Sequence, residues 1–285
     1  MTPQQYCRDK AAKSGSSFYY SFLFLPAPKR DAIMALYAFC REVDDAVDEI
    51  SDPLVAAQTL AWWREEVSRT FSGQATHPVG KALADTLQDF ELHEEYFHEI
   101  IDGMEMDLTE HRYPAYKNLA LYCHRVASVV GLLSAQIFGF SDRQTLKFAE
   151  KLGLAFQLTN IIRDVREDAE RGRIYLPQDE MQQFNVSEQS ILALQQSNEL
   201  TQLLQFQAKR AEQFYQQAME LLPEQDRYQQ STALIMAEIY RETLQEIARE
   251  NFQVMKQRTS LTPLRKLWLA WRTLRREKKR AKKRH

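Results

Sequence analysis

The chain has 285 residues, enough for one large domain with a substantial core, and carries 44% hydrophobic residues. Only 8 Gly and 9 Pro are spread along it, and its apolar residues recur at three- and four-residue spacing, so strand-rich folds are excluded in favour of an all-α one. The net charge of −2 hides an asymmetry. Residues 264–285 hold eleven Lys/Arg and one Glu, a local +10, which leaves −12 on the rest.

Three cysteines, Cys7, Cys40 and Cys123, have neither disulfide nor zinc-ligand spacing and suit a reducing compartment. The N-terminus has no apolar signal-like region, and no run of about 18 uninterrupted apolar residues predicts a membrane-spanning helix. Taken in order, the small-residue segment Ser14-Gly15-Ser16-Ser17 precedes an aromatic cluster from Phe18 to Phe24, and Pro26-Ala27-Pro28 stops it. Helices are expected at 29–50, 54–72, 78–110, 115–139 and 142–169. Arg171-Gly172-Arg173 closes the last of these, and Ile174-Tyr175-Leu176-Pro177 reads as extended. Long helices follow at 188–222 and 226–258, and Pro263 opens a basic one. This organisation reads as one domain, 1–263, with a basic amphipathic tail, 264–285.

Two acidic motifs, 120 residues apart, carry the chemistry: Arg41-Glu-Val-Asp44-Asp45-Ala-Val-Asp48 and Asn160-Ile-Ile-Arg163-Asp164-Val-Arg-Glu-Asp168. Aspartates four apart are helix neighbours, roughly 5–6 Å apart at Cβ, and repel by roughly 3 kcal/mol at an effective dielectric of about 20. Hard divalent cations relieve that repulsion and bring phosphate oxygens with them. At 100° per residue, Tyr37, Arg41, Asp44 and Asp48 span about 60° of one helix. Gly153, Gln157, Asn160, Asp164 and Asp168 span about 80° of another. Apolar flanks such as Phe39, Val43, Val47, Leu158, Ile161 and Ile162 leave each polar stripe facing a cavity. Taken singly, either motif would more often be a solvated face. The two together point to a diphosphate held through Mg²⁺ between two helices.

At these residues, and over nearly all of the chain, the sequence resembles the squalene/phytoene synthase family of head-to-head isoprenyl diphosphate synthases. The resemblance implies a single-domain helical bundle around a central cavity, about two to three Mg²⁺ ions and a prenyltransferase activity. It implies that Asp44, Asp48, Asn160, Asp164 and Asp168 are metal ligands and that Arg41 and Arg163 contact diphosphate, with Gln157 nearby. The Ser14, Gly15, Ser16, Ser17 segment resembles a loop closing over a diphosphate, with Phe18 beside it. Tyr37, Tyr122, Tyr240 and Arg258 match pocket and phosphate-site positions more loosely, Tyr122 being taken as catalytic. Val126, Val129, Val130, Leu133, Phe138 and Phe156 are candidate cavity walls, with Gly131 and Gly153 giving close helix approach or room for a prenyl chain.

The run from Tyr6 to Phe22 looks most like bacterial presqualene diphosphate synthases of hopanoid pathways. The expected reaction is therefore condensation of two farnesyl diphosphates to presqualene diphosphate, without NADPH, with separate downstream enzymes forming squalene. Phytoene or dehydrosqualene synthase, a complete NADPH-dependent squalene synthase, and a non-catalytic helical adaptor are the alternatives. In the tail, Leu264, Leu267, Trp268, Trp271 and Leu274 fall on one face, with Arg265, Lys266, Arg272, Arg275 and Arg276 around it. That pattern predicts peripheral contact of a cytoplasmic protein with the inner face of the cell membrane, and the acidic body argues against nucleic acid.

Overall fold

The computed structural model describes residues 1–13 and 17–283. Fifteen α-helices make up the described chain: α1 (Pro3–Lys13), α2 (Ser17–Phe22), α3 (Ala27–Asp48), α4 (Pro53–Phe71), α5 (Pro78–Thr86), α6 (Glu94–Thr109), α7 (Tyr116–Cys123), α8 (Val129–Phe138), α9 (Gln144–Arg163), α10 (Val165–Glu170), α11 (Gln178–Gln183), α12 (Glu188–Leu192), α13 (Asn198–Leu221), α14 (Ser231–Arg249) and α15 (Pro263–Lys282). A π-helical turn, His124–Ser128, joins α7 to α8. Among the described residues there is no strand, only an isolated bridge between Arg112 and Ile174.

Local chemistry sets the helix starts. Asp52 accepts from the Leu54 N–H ahead of α4, Ser197 from the Leu200 N–H ahead of α13, and Thr262 from the Arg265 N–H ahead of α15. Proline at the first helical position of α4, α5 and α15 pre-sets φ where no N–H is needed. Gly139 at φ +84° ends α8.

Two expected helices divide and a third is cut short. The 78–110 segment splits into α5 and α6, and the turn between them tucks Leu92 into the core. Residues 188–222 split where Leu194 takes φ +54°, with Ser197 starting α13 afresh. The 226–258 segment yields only α14, because Asn251 and Phe252 turn left-handed and bury the Phe252 ring. The 142–169 run bends at Asp164, a local break that matters for the site.

Among the described residues two large buried clusters form most of the core, with a small third one under α15. One gathers α9, α13 and α14; the other gathers α1, α3, α4, α5, α6 and α8. Phe18, Val126, Ala233 and Met236 touch both. Tyr116–Phe138, counted through the π turn, is after all long and apolar enough to cross a membrane by length and composition. Here it runs against α9. A Cβ on Gly131 would sit 2.6 Å from the Ala149 carbonyl oxygen, and one on Gly153 would sit 2.6 Å from that of Ala127. Both glycines therefore serve close helix approach. The basic C-terminal segment is no detached tail, since Leu269 and Ala270 of α15 pack against Ile235 and Ile239 of α14.

Candidate active site

The first acidic motif closes α3. Arg41 reaches one turn forward to Asp44 and Asp45. Lys10 of α1 pairs with Asp45 and with Glu42, both at 2.9 Å, so Asp45 is tied to α1. Asp44 and Asp48 are left on the site side. Asp48 accepts from Arg173 at 2.7 Å, with Arg171 at 3.6 Å. Burial pushes the Asp44 pKa up to about 7, Arg41 opposing the rise and Asp48, Asp45 and Asp107 adding to it. Its side chain keeps 36% exposure, so solvent screens part of that field.

The second motif straddles the junction of α9 and α10. At Asp164 φ is −103° and ψ 13°, yet its N–H still donates to Asn160 and its carbonyl accepts from Asp168. The chain kinks there and continues helically. That kink lets adjacent residues meet: Arg163 donates two hydrogen bonds to Asp164, at 2.7 and 2.5 Å. Arg258 adds one at 2.8 Å and reaches Glu167 at 3.0 Å. Burial alone would raise the Asp164 pKa, but the two arginines outweigh it and hold it at about 2. Asp168 goes the other way. Burial, with Asp164 and Asp107 nearby, lifts it to about 8 against Arg171 and Arg173.

Asp107 of α6, absent from the expected set, sits between the motifs. It is 5% exposed and accepts from the Tyr122 hydroxyl at 2.9 Å and the Tyr175 hydroxyl at 2.6 Å. Burial raises it to about 6 against Tyr175, Arg173 and Tyr122. Its charge is felt by both Asp44 and Asp168, which brings α3, α6 and α10 to one acidic centre. Tyr122, expected as a catalytic residue, thus stands at the acidic centre on Asp107 and not among the cavity-lining residues. Arg171-Gly172-Arg173, read only as a helix end, was the available signal: two cations directly behind an acidic motif.

Beside this centre lies an apolar cavity of about 200 Å³ at the seam of the two core clusters. Its lining runs along α9 from Asn160 and Gln157 to Ala149, about 17 Å at the helical rise. Phe18 packs between Tyr37, Phe156 and Tyr240, with ring centroids 6.2, 6.2 and 5.4 Å away. The Arg163 charge also acts on the Tyr240 hydroxyl, opposing the rise that burial gives its pKa and linking the aromatic wall to the acidic centre. Of the expected wall, Val126, Val130, Gly131, Phe138, Gly153 and Phe156 line the cavity. Val129 and Leu133 do not, because they face the α3 and α6 side of the core. Ser14, Gly15 and Ser16 lie outside the described residues, and Ser17 opens α2.

Among the described residues no three His, Cys, Asp or Glu side chains are already drawn together as a ligand cluster. The carboxylates are instead engaged by guanidinium groups: Asp44 by Arg41, Asp48 by Arg173, Asp164 by Arg163 and Arg258. The donor set nevertheless fits a hard divalent ion. It offers carboxylate and amide oxygens, Asn160 Oδ1 is buried without a hydrogen-bond partner, and Asp44 and Asp168 are each repelled by neighbouring carboxylates, Asp107 acting on both, which a cation would offset.

The squalene/phytoene synthase family profile matches residues 11–265. A phytoene synthase of Arthrospira platensis is 37% identical, covering 92% of this chain and 89% of its own length. A 15-cis-phytoene synthase of Synechococcus elongatus is 36% identical with the same coverage. A crystal structure of a dehydrosqualene synthase superposes with a TM-score of 0.84 at 30% identity, covering 97% of each chain. The squalene synthase HpnC from Alicyclobacillus acidocaldarius superposes at 0.76 with 28% identity, over 88% of this chain and 94% of its own. With the bundle, the paired acidic motifs and the cavity already described, these matches assign the chain to the squalene/phytoene synthase family of head-to-head isoprenoid synthases.

Proposed function

We propose that the protein is a phytoene synthase, joining two geranylgeranyl diphosphates head to head and releasing a hydrocarbon without NADPH. The observation that carries the product is the likeness to phytoene synthases at 37 and 36% identity across 92% of the chain. The resemblance of the Tyr6–Phe22 run to presqualene diphosphate synthases covers far less sequence and yields to it. Dehydrosqualene formation from two farnesyl diphosphates is the second reading, favoured by the 0.84 superposition on a dehydrosqualene synthase.

In this reading Asp44, Asp48, Asn160, Asp164 and Asp168 hold Mg²⁺. When bound, the ions neutralise diphosphate charge and make it a better leaving group. Arg41, Arg163 and Arg258 add fixed positive charge where negative charge develops. As the donor diphosphate departs, its allylic C1 is attacked by the C2=C3 alkene of the acceptor, and proton loss closes a cyclopropane. A second ionisation, rearrangement and proton loss give the hydrocarbon. Phe18, Phe22, Tyr37 and Phe156 wall the cavity and keep water from the cations while offering ring faces to positive charge.

The test is product analysis. Purified protein is given geranylgeranyl or farnesyl diphosphate with Mg²⁺, with and without NADPH, and products are identified by mass spectrometry. A C40 hydrocarbon formed without reductant is expected, with the C20 substrate preferred. A product retaining diphosphate, or a hydrocarbon appearing only with NADPH, overturns the proposal.

A further inference from the structure

Helix α15 meets the protein along one side only. Leu269, Ala270 and Leu274 pack on α14, which turns Leu274 away from the apolar face expected of it. Arg265 pairs with Glu242 and Glu246, while Arg272 and Arg276 pair with Glu238. These expected surface cations are thus spent on acids of α14.

The outward side divides lengthwise. Its first half shows Leu264, Leu267, Trp268 and Trp271, exposed by 80, 37, 52 and 51%. Its second half shows Arg275, Lys278, Lys279, Lys282 and Lys283, all exposed, none with a carboxylate partner among the described residues. Arg272 and Arg275 lie over the Trp268 and Trp271 rings at 4.6 and 5.2 Å. Helix α15 also packs against α2, which is followed by the exposed Leu23 and Phe24 and whose Phe18 and Phe22 line the cavity.

We propose that the outward face of α15 docks on an anionic lipid bilayer, its Leu/Trp half entering the interface and its Arg/Lys half contacting headgroups. Tryptophans seat at a bilayer interface because one end of the ring is apolar and the other polar. Unpaired cations select the anionic surface, each strengthening binding by about fivefold. A second copy of the chain would cover the tryptophans but bring the same cations face to face. The bilayer is the occupant that satisfies both halves, and docking sets the α2 side of the cavity toward lipid. The proposal holds whichever hydrocarbon the site makes.

Removing α15 would uncover the α14 face beneath Leu269 and Ala270, so surface substitutions are the cleaner probes. Full-length protein is sedimented with vesicles of phosphatidylcholine alone or mixed with phosphatidylglycerol, beside Trp268→Ser/Trp271→Ser and Lys278→Glu/Lys279→Glu/Lys282→Glu variants. Binding to the anionic vesicles is expected to exceed binding to neutral ones by at least about tenfold and to weaken with salt. Each variant should lose at least about tenfold of it, with unchanged melting temperature and detergent-assayed turnover. Variant binding equal to wild type overturns the proposal, as does absence of wild-type binding. Self-association abolished by the Trp variant, or DNA binding in place of vesicle binding, would overturn it in favour of another occupant.

Discussion

The two acidic motifs share an Asp-x-x-x-Asp spacing but stand on different backbones. Asp44 and Asp48 end an unbroken helix, where Arg41 reaches Asp44 in the ordinary i,i+3 way. Asp164 sits on a kink, where the adjacent Arg163 can grip it and Arg258 arrives from beyond α14. Adjacent residues on a regular helix do not face each other, so the second grip requires the kink. In the first motif burial outweighs Arg41 and Asp44 is raised to about 7; the other is divided, with Asp164 pulled to about 2 and Asp168 raised to about 8. Spacing decides which carboxylates share a face, and the backbone decides which of them an arginine neutralises.

The contrast can be broken most forcefully at the carboxylates. Asp44→Asn and Asp168→Asn should each lower kcat/KM by about 10²–10³-fold at saturating Mg²⁺, with little loss of melting temperature. Loss confined to one motif would mean that the two do not serve one site. Next in size is Gly153→Val, whose added carbons would press on the backbone at Ala127 and Ser128. Overpacking there should cost about 1–3 kcal/mol in denaturant unfolding, and a variant as stable as wild type would refute the close α9 contact.

A pH series separates the motifs more finely. Asp168 and Asp44 bind protons more tightly folded than unfolded, so metal-free stability should fall as pH rises from about 4 towards 8. The Asp164 contribution has the opposite sign, being present above about 4 and lost as pH falls towards 2. Melting temperatures in chelator should therefore decline less from pH 5 to 8 in Asp168→Asn than in wild type; identical slopes would discard the Asp168 assignment. The smallest effect belongs to Arg258→Gln. That side chain is 51% exposed, so stability should change by only about 0–1 kcal/mol, while KM for the diphosphate substrate rises several-fold. An unchanged KM would leave Arg258 as a merely structural partner of Asp164.

Periodicity made Tyr37, Arg41, Asp44, Asp48, Gln157 and Asn160 legible, because each lies on a helix whose other faces are apolar. Asp107 was hidden among Asp102, Glu105 and Glu110, which look alike until burial separates them. Arg173 and Tyr175 approach from a short extended segment fixed by the bridge of Ile174 to Arg112, a long-range contact that no local spacing announces. The breaks at 87–93, at Asp164 and at 193–197 carry neither Gly nor Pro, and only the last held a local signal, the capping Ser197. The amphipathic C-terminal helix was legible, but its division into apolar and cationic halves depended on the acids of α14 claiming Arg265, Arg272 and Arg276.

In the proposed function, α3 and the α9–α10 kink form one site for a diphosphate and its divalent ions. Thermal unfolding with Mg²⁺ and inorganic diphosphate, alone and together, tests it in wild type, Asp44→Asn, Asp168→Asn and the double variant. Wild type should be stabilised by the pair of ligands well beyond the sum of either alone. Each single variant should lose nearly all of that excess, and the double variant should lose no more than the singles. Full stabilisation retained by either single variant, or losses that simply add in the double, would contradict a shared site.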